Sequence, residues 1–221
     1  MAGPAPSRWT ERSSSIATET ASSALASIAP VVLVGGRSVR FGRDKLLAEV
    51  SGRPMVAAPI AALREVFGPR VTVVGDCDPG VRVLSDAWIP DGHPGTGPMG
   101  GIATALDRLG KPALVLAGDL PAIDAAAIHR LVDAFLACPD ASVVLATTGQ
   151  GSGSRDHPCT AVYGRPMQQL FESHLRSRRF GLRDAIARLP ASSVIRVEIA
   201  PAALANINDE AELGRYLASD G

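Results

Sequence analysis

Residues 30–45 read PVVLVGGRSVRFGRDK, and the reading of this stretch decides the fold. Val31-Val32-Leu33-Val34 is a short, uninterrupted apolar run, the pattern of a fully buried strand. Two glycines follow at once, then a polar turn with Arg37 and Arg40, a third glycine at Gly42, and Arg43-Asp44-Lys45. Glycine lets the backbone approach a ligand closely and adopt positive φ. Successive N–H groups there form an anion-binding nest, and Arg and Lys add full charges suited to phosphate. A strand that breaks into this loop points to a site for a nucleoside triphosphate.

Working outward, the same apolar-run logic predicts further strands at Val71–Val74, Val81–Leu84, Ala113–Ala117 and Ser142–Thr147. Helices are expected over 55–67, 100–109 and 123–137. A Gly/Pro-rich loop is expected over 85–99, and a flexible one over 149–154. Beyond these come strands at 160–163 and 194–199, and helices at 167–175, 182–189 and 210–217. Asp209 with Glu212 three residues on is a capping-box pattern for the last helix. Alternating strands and helices predict an α/β fold, a doubly wound, mostly parallel sheet flanked by helices. Ligands bind such sheets at the carboxyl ends of strands near a topological switch point. Residues 1–29 are rich in Ala, Ser, Thr and Pro and read as a disordered extension. Residues 30–217 read as one domain.

Three more stretches carry chemistry. Leu116-Ala117-Gly118-Asp119-Leu120-Pro121 puts a carboxylate at the end of a buried strand, well placed for Mg²⁺ shared with phosphate. Its alternative reading is a helix-start turn. Asp91 precedes Gly92-His93-Pro94-Gly95-Thr96-Gly97-Pro98-Met99-Gly100-Gly101-Ile102, a loop able to wrap a nucleoside, with Pro98 opening a helix whose N-terminus faces the site. Arg155-Asp156-His157-Pro158 follows the flexible loop and is either a closing anion contact or a solvated ion pair. Asn206-Ile207-Asn208 precedes the last helix, where asparagine also serves as a cap. Arg176, Arg178 and Arg179 read as a solvated helix end or an aid to an anionic acceptor.

The first motif is neither a Walker A, since Gly42 is followed by Arg43-Asp44, nor G-x-G-x-x-G. It resembles L-A-G-G-x-x-x-R-M/F-G-x-D-K of the molybdenum cofactor guanylyltransferase type of nucleotidyltransferases. Here it stands as Leu33-Val34-Gly35-Gly36, Arg40-Phe41-Gly42 and Asp44-Lys45, with Val34 where the family usually has Ala. The later stretches resemble the family's G-D-x-P, G-P-L-A-G-I, R-x-H-P-x-x-A-x-Y and N-[IV]-N elements, in the same order. The resemblance implies a Rossmann-like fold of glycosyltransferase-A type. It implies transfer of GMP from GTP to the terminal phosphate of molybdopterin or its molybdenum form, with release of pyrophosphate. By the same resemblance Arg40, Lys45 and Asp119 are catalytic, and Asp119 ligates Mg²⁺. Leu33, Val34, Gly35, Gly36, Lys45, Asp91, Gly97, Pro98, Gly100 and Asp119 bind the nucleotide. Arg155, His157, Asn206 and Asn208 bind the acceptor, so the resemblance divides the domain into a nucleotide-binding half to about 147 and an acceptor-binding half after it. Asp86 competes with Asp91, but its spacing to Gly97 is too long. The product would pass to a molybdoenzyme or chaperone.

Composition narrows the classes. Across 221 residues the apolar fraction is 46%, enough for a full core, and formal net charge is zero. Neither global charge nor an aromatic content of 4% suits a nucleic-acid surface, and no run is long enough to span a membrane. Lys45 and Lys111 are the only lysines, so a lysine in the motif stands out. Cys77, Cys138 and Cys159 lack metal-ligand spacing and read as reduced thiols of a cytoplasmic protein. A monomer or weak oligomer is expected. Two other functions stay open: cytidylyl or sugar-phosphate nucleotidyl transfer on the same fold, and a non-catalytic nucleotide-binding module. Retention of Lys45 and Asp119 argues against the module.

Overall fold

The computed structural model describes residues 23–35, 44–138, 140–149 and 151–219. The disorder expected of residues 1–22, and the roles expected of Gly36 and Arg40, lie outside these. Among the described residues seven strands form one sheet: β1 (Ala29–Leu33), β4 (Thr72–Val74), β5 (Ala87–Ile89), β6 (Ala113–Ala117), β7 (Val143–Thr148), β8 (Arg155–Tyr163) and β9 (Val194–Glu198), in the order β5-β4-β1-β6-β8-β7-β9. A two-stranded ribbon, β2 (Glu49–Val50) and β3 (Arg53–Pro54), lies apart. All pairings of the large sheet are parallel except those of β8, which runs antiparallel to both β6 and β7.

The apolar runs are continuous because both faces of the sheet are covered, and successive side chains alternate between them. Val32, Val73, Leu114 and Leu116 pack beneath α1 (Ala57–Phe67) and α4 (Ala125–Ala137). Val31, Val74, Val115 and Leu145 pack beneath α3 (Pro98–Leu109), α5 (Pro166–Arg176) and α6 (Leu182–Ala187). Caps set the helix ends. Asp124 accepts from the Ala127 N–H to start α4, and Gly110, left-handed at φ 65°, ends α3.

Four expectations change. Val81–Leu84 is not a strand: α2 (Pro79–Arg82) forms there, because Asp78 accepts from Gly80 N–H and Pro79 occupies the first turn. The expected 85–99 loop contains edge strand β5 and ends at Pro98, which starts α3 two residues before Gly100. β8 begins at Arg155 rather than residue 160. The packed structure begins before residue 30: Ile28 is 2% exposed and Leu25 packs on the same core cluster. The last helix, α7 (Glu210–Ser219), has its expected Asp209 cap, which accepts from Glu212 N–H at 2.8 Å. The Glu212 carboxylate bonds the N–H of Asn208 rather than that of Asp209.

Candidate active site

From β1 the chain steps outward to β4 and β5, then returns to the other side of β1 with β6. The topological switch point therefore lies between β1 and β6, whose last residues, Leu33 and Ala117, each belong to one of the two strongest sequence motifs. The backbones are tightly packed at this edge. A Cβ on Gly75 (φ 129°) would lie 2.0 Å from the Val34 carbonyl oxygen, so the turns after β1 and β4 touch main chain to main chain. Gly35 (φ 101°) lies against Asp76 in the same way.

Lys45 reaches this edge from a 3₁₀ turn, Lys45–Leu47. Asp44 fixes the turn, one carboxylate oxygen accepting from Leu46 N–H and the other from Asp78 N–H. The acidic member of the Asp44-Lys45 pair thus anchors the lysine to its neighbours. Lys45 Nζ lies 2.6 Å from Asp119 Oδ2 and 3.3 Å from the Ile207 carbonyl. Asn206 Nδ2 approaches Asp119 Oδ1 at 3.3 Å, and Ile207 N–H donates to the Asp119 carbonyl. Segments around 45, 119 and 207 therefore converge on one carboxylate.

This cluster opens on a cavity of about 850 Å³. Leu33, Val34, Gly35, Lys45, Asp91, Gly97, Pro98 and Asp119 line it, so eight of the ten expected nucleotide contacts share one space. Gly36 is outside the described residues. Gly100 lies beneath the loop instead: a Cβ there would come 2.1 Å from Thr96 Oγ1 and 2.8 Å from the His93 carbonyl, and Gly101 faces the cavity in its place. Asp91 accepts from His93 N–H, turning the loop, while Asp86 is occupied by Arg64 and Val71 N–H. Arg64, opposed by partial burial and helped by Val71, holds Asp86 below its ordinary carboxylate range.

A second cavity, about 820 Å³, adjoins the first, and both are lined by Pro98, Ala117, Cys159 and Asn206. Arg155, His157 and Asn208 line it too, so all four expected acceptor residues meet there. A bulge in β8 shapes one wall of this cavity. Opposite β7, Leu145 faces Ala161 and the next residue, Ala146, faces His157, which leaves Pro158, Cys159 and Thr160 extra. The bulge pushes these residues to the cavity wall. The buried hydroxyl of Tyr163 donates to the Pro158 carbonyl at 2.6 Å and ties the bulge off. Burial raises the Cys159 thiol to about 11, with a contribution from the Asp119 charge. Burial, then Arg155 and Arg183, lower His157, whose Nε2 lies 3.1 Å from Thr148 Oγ1.

Sequence reasoning missed Asp76 and Cys159 on the first cavity and Phe180 and Arg183 on the second. Of the Arg176, Arg178 and Arg179 cluster, Arg176 lines a further groove that shares Phe180 with the second cavity. Among the described residues no group of three His, Cys, Asp or Glu can hold a metal alone. One strand-end carboxylate with spare lone pairs suits a cation whose other ligands are phosphate oxygens and water. No helix of the described residues is long and apolar enough to cross a membrane.

Residues 30–193 match the model of the MobA-like NTP transferase domain. The chain belongs to this family. Among curated relatives, a molybdenum cofactor guanylyltransferase from Rhodobacter capsulatus is 31% identical, over 85% of this chain and 94% of its own length. A protein from Pyrococcus horikoshii named probable molybdenum cofactor guanylyltransferase is 30% identical, over 77% and 86%. The solved structure of molybdopterin-guanine dinucleotide biosynthesis protein A from Archaeoglobus fulgidus superposes with a TM-score of 0.65, 21% identity, and coverage of 86% and 97%. The nucleotidyltransferase fold expected from the motif order is therefore the fold observed, and this NTP transferase carries Leu33, Gly35, Lys45 and Asp119 at the switch point.

Proposed function

We propose that this transferase moves GMP from GTP to the terminal phosphate of molybdopterin or its molybdenum form and releases pyrophosphate. One observation carries the reading. The Lys45–Asp119 pair lines the cavity walled by the glycine motifs, and Asn206, bonded to Asp119, also lines the adjoining cavity walled by the Arg155-His157 strand. An acceptor phosphate oxygen in the second cavity attacks the α-phosphorus of a nucleotide in the first. The new O–P bond forms as the bond to the bridging oxygen of pyrophosphate breaks. The acceptor is already anionic, so the protein's work is alignment and charge neutralisation.

Lys45 supplies a positive charge at the phosphates, the Gly35 backbone lets the chain approach them, and Arg40 is assigned the same role from the motif. Asp119 is the residue that would hold Mg²⁺, which neutralises triphosphate charge when bound. Asp91, Gly97 and Pro98 enclose the nucleoside, and Asn206 bridges the two cavities. The three free cysteines support a cytoplasmic setting, and the product passes on to a molybdoenzyme or its chaperone.

The test is titration of GTP, CTP, ATP and UTP with magnesium, followed by pyrophosphate release with molybdopterin. GTP selectivity with acceptor-dependent release is the expected result. Preference for CTP would transfer the reading to cytidylyl chemistry, and absence of any triphosphate binding would overturn it.

A further inference from the structure

The acceptor cavity carries more positive charge than its strand motif supplies. Arg155 and His157 come from β8, and Arg183 comes from α6. Arg183 Nη2 donates to the carbonyl of Asp156 at 3.1 Å. Asp156 lies between Arg155 and His157 in the strand, so all three groups lie along one short run of backbone. The acid nearest in sequence is turned away from them. Arg196 on β9 holds the Asp156 carboxylate with two contacts of 3.0 Å.

Two further acids line this cavity. Glu212 accepts from Asn208 N–H at 2.6 Å, and Asp184 stands beside Arg183 in the first turn of α6. Among the described residues neither Arg155 nor Arg183 has a carboxylate partner. Two planar guanidinium groups outside any of these ion pairs, lining one cavity with an imidazole, match a phosphate monoester, which takes paired N–H donors.

We infer that Arg155, His157 and Arg183 form one phosphate subsite, and that Arg183 selects a phosphorylated acceptor over its dephosphorylated form. The inference rests on the acceptor reading above and adds to it a residue from α6 that the strand motif does not contain. Arg183 is exposed on its helix, so its replacement leaves the core untouched.

Two arms test it. In the first, the His157 ring is titrated by NMR with and without inorganic phosphate, in the full chain and in Arg183→Gln and Arg183→Lys. Phosphate should raise the wild-type midpoint, with most of the rise lost in Arg183→Gln and kept in Arg183→Lys. No rise in the wild type, or an equal rise in Arg183→Gln, would overturn the subsite. In the second arm, the molybdopterin KM of Arg183→Gln should rise about tenfold or more while the GTP KM holds, as loss of a charged hydrogen bond at one substrate requires. An unchanged molybdopterin KM would overturn the selecting role. A wild type that transfers nothing to molybdopterin would sink the guanylyl reading, while the phosphate titration would still judge the subsite.

Discussion

Replacing Lys45 by alanine separates a catalytic role from a structural one. The ammonium lost lies 2.6 Å from Asp119 Oδ2 and 3.3 Å from the Ile207 carbonyl. The two side chains are 18% and 13% exposed, and both face the first cavity. Water can therefore reach Asp119 once the lysine is gone. The stability loss should be about 1–2 kcal/mol, the scale of a charged hydrogen bond, below the 3–5 kcal/mol of an orphaned buried charge. In a chain of this size that lowers the melting temperature by roughly 2–8 °C. Transfer should fall much further. Losing one donor aimed at developing charge costs about 10²–10³ in kcat, or roughly 3–4 kcal/mol. The assay is pyrophosphate release at saturating GTP and molybdopterin, run beside a thermal melt. Turnover within about fivefold of wild type would be far outside that range and would refute the role. A melt lowered by far more than about 8 °C would show that the lysine mainly holds the fold.

Other outcomes follow from single contacts. Gly75→Ala combines φ 129° with a Cβ 2.0 Å from the Val34 oxygen, so it should destabilise by about 3 kcal/mol or more in a denaturant melt. Gly153→Ala, with nothing within 4 Å and no positive φ, is the near-neutral control. Tyr163→Phe leaves the Pro158 carbonyl without its donor, and a loss of about 1–3 kcal/mol should accompany a higher acceptor KM with little change for GTP. Asp86 has its carboxyl lowered by Arg64, so its contribution is present above the ordinary carboxylate range and disappears as pH falls through the lowered value. The stability gap between wild type and Asp86→Asn should be about 0.5–1 kcal/mol at pH 7, since Arg64 is well exposed, and should close below about pH 4.

What could be read from the chain was what burial and local chemistry determine. The run Val31–Val34 is apolar at every position because the sheet is covered on both faces, and Leu33 carries the motif straight to the switch point. Asp119 was legible because a strand end and a Gly-Asp turn coincide. β5 was not, because Ala87-Trp88-Ile89 is a three-residue edge strand, largely exposed, inside a Gly/Pro-rich segment. Val81–Leu84 misled because its apolar residues outweighed the Asp78-Pro79 helix start beside it. The direction of β8 and its three-residue bulge depend on pairing with both β6 and β7, which no local pattern encodes. Cys159 reaches the site through that bulge, and Arg183 through the placement of α6 beside β8.

The Lys45–Asp119–Ile207 link also gives the carboxyl-terminal segment a reporting role. The Ile207 amide is bonded to the Asp119 carbonyl, and its own carbonyl receives Lys45. Ile207 shares a small apolar cluster with Val50 and Met55, on which Leu213 and Tyr216 of α7 pack. Opening of that segment would therefore take from Lys45 one of its two acceptors. Deuterium uptake at the Ile207 amide should slow when a triphosphate fills the first cavity, so the occupancy of the site can be followed from the far end of the chain, without a label on the ligand.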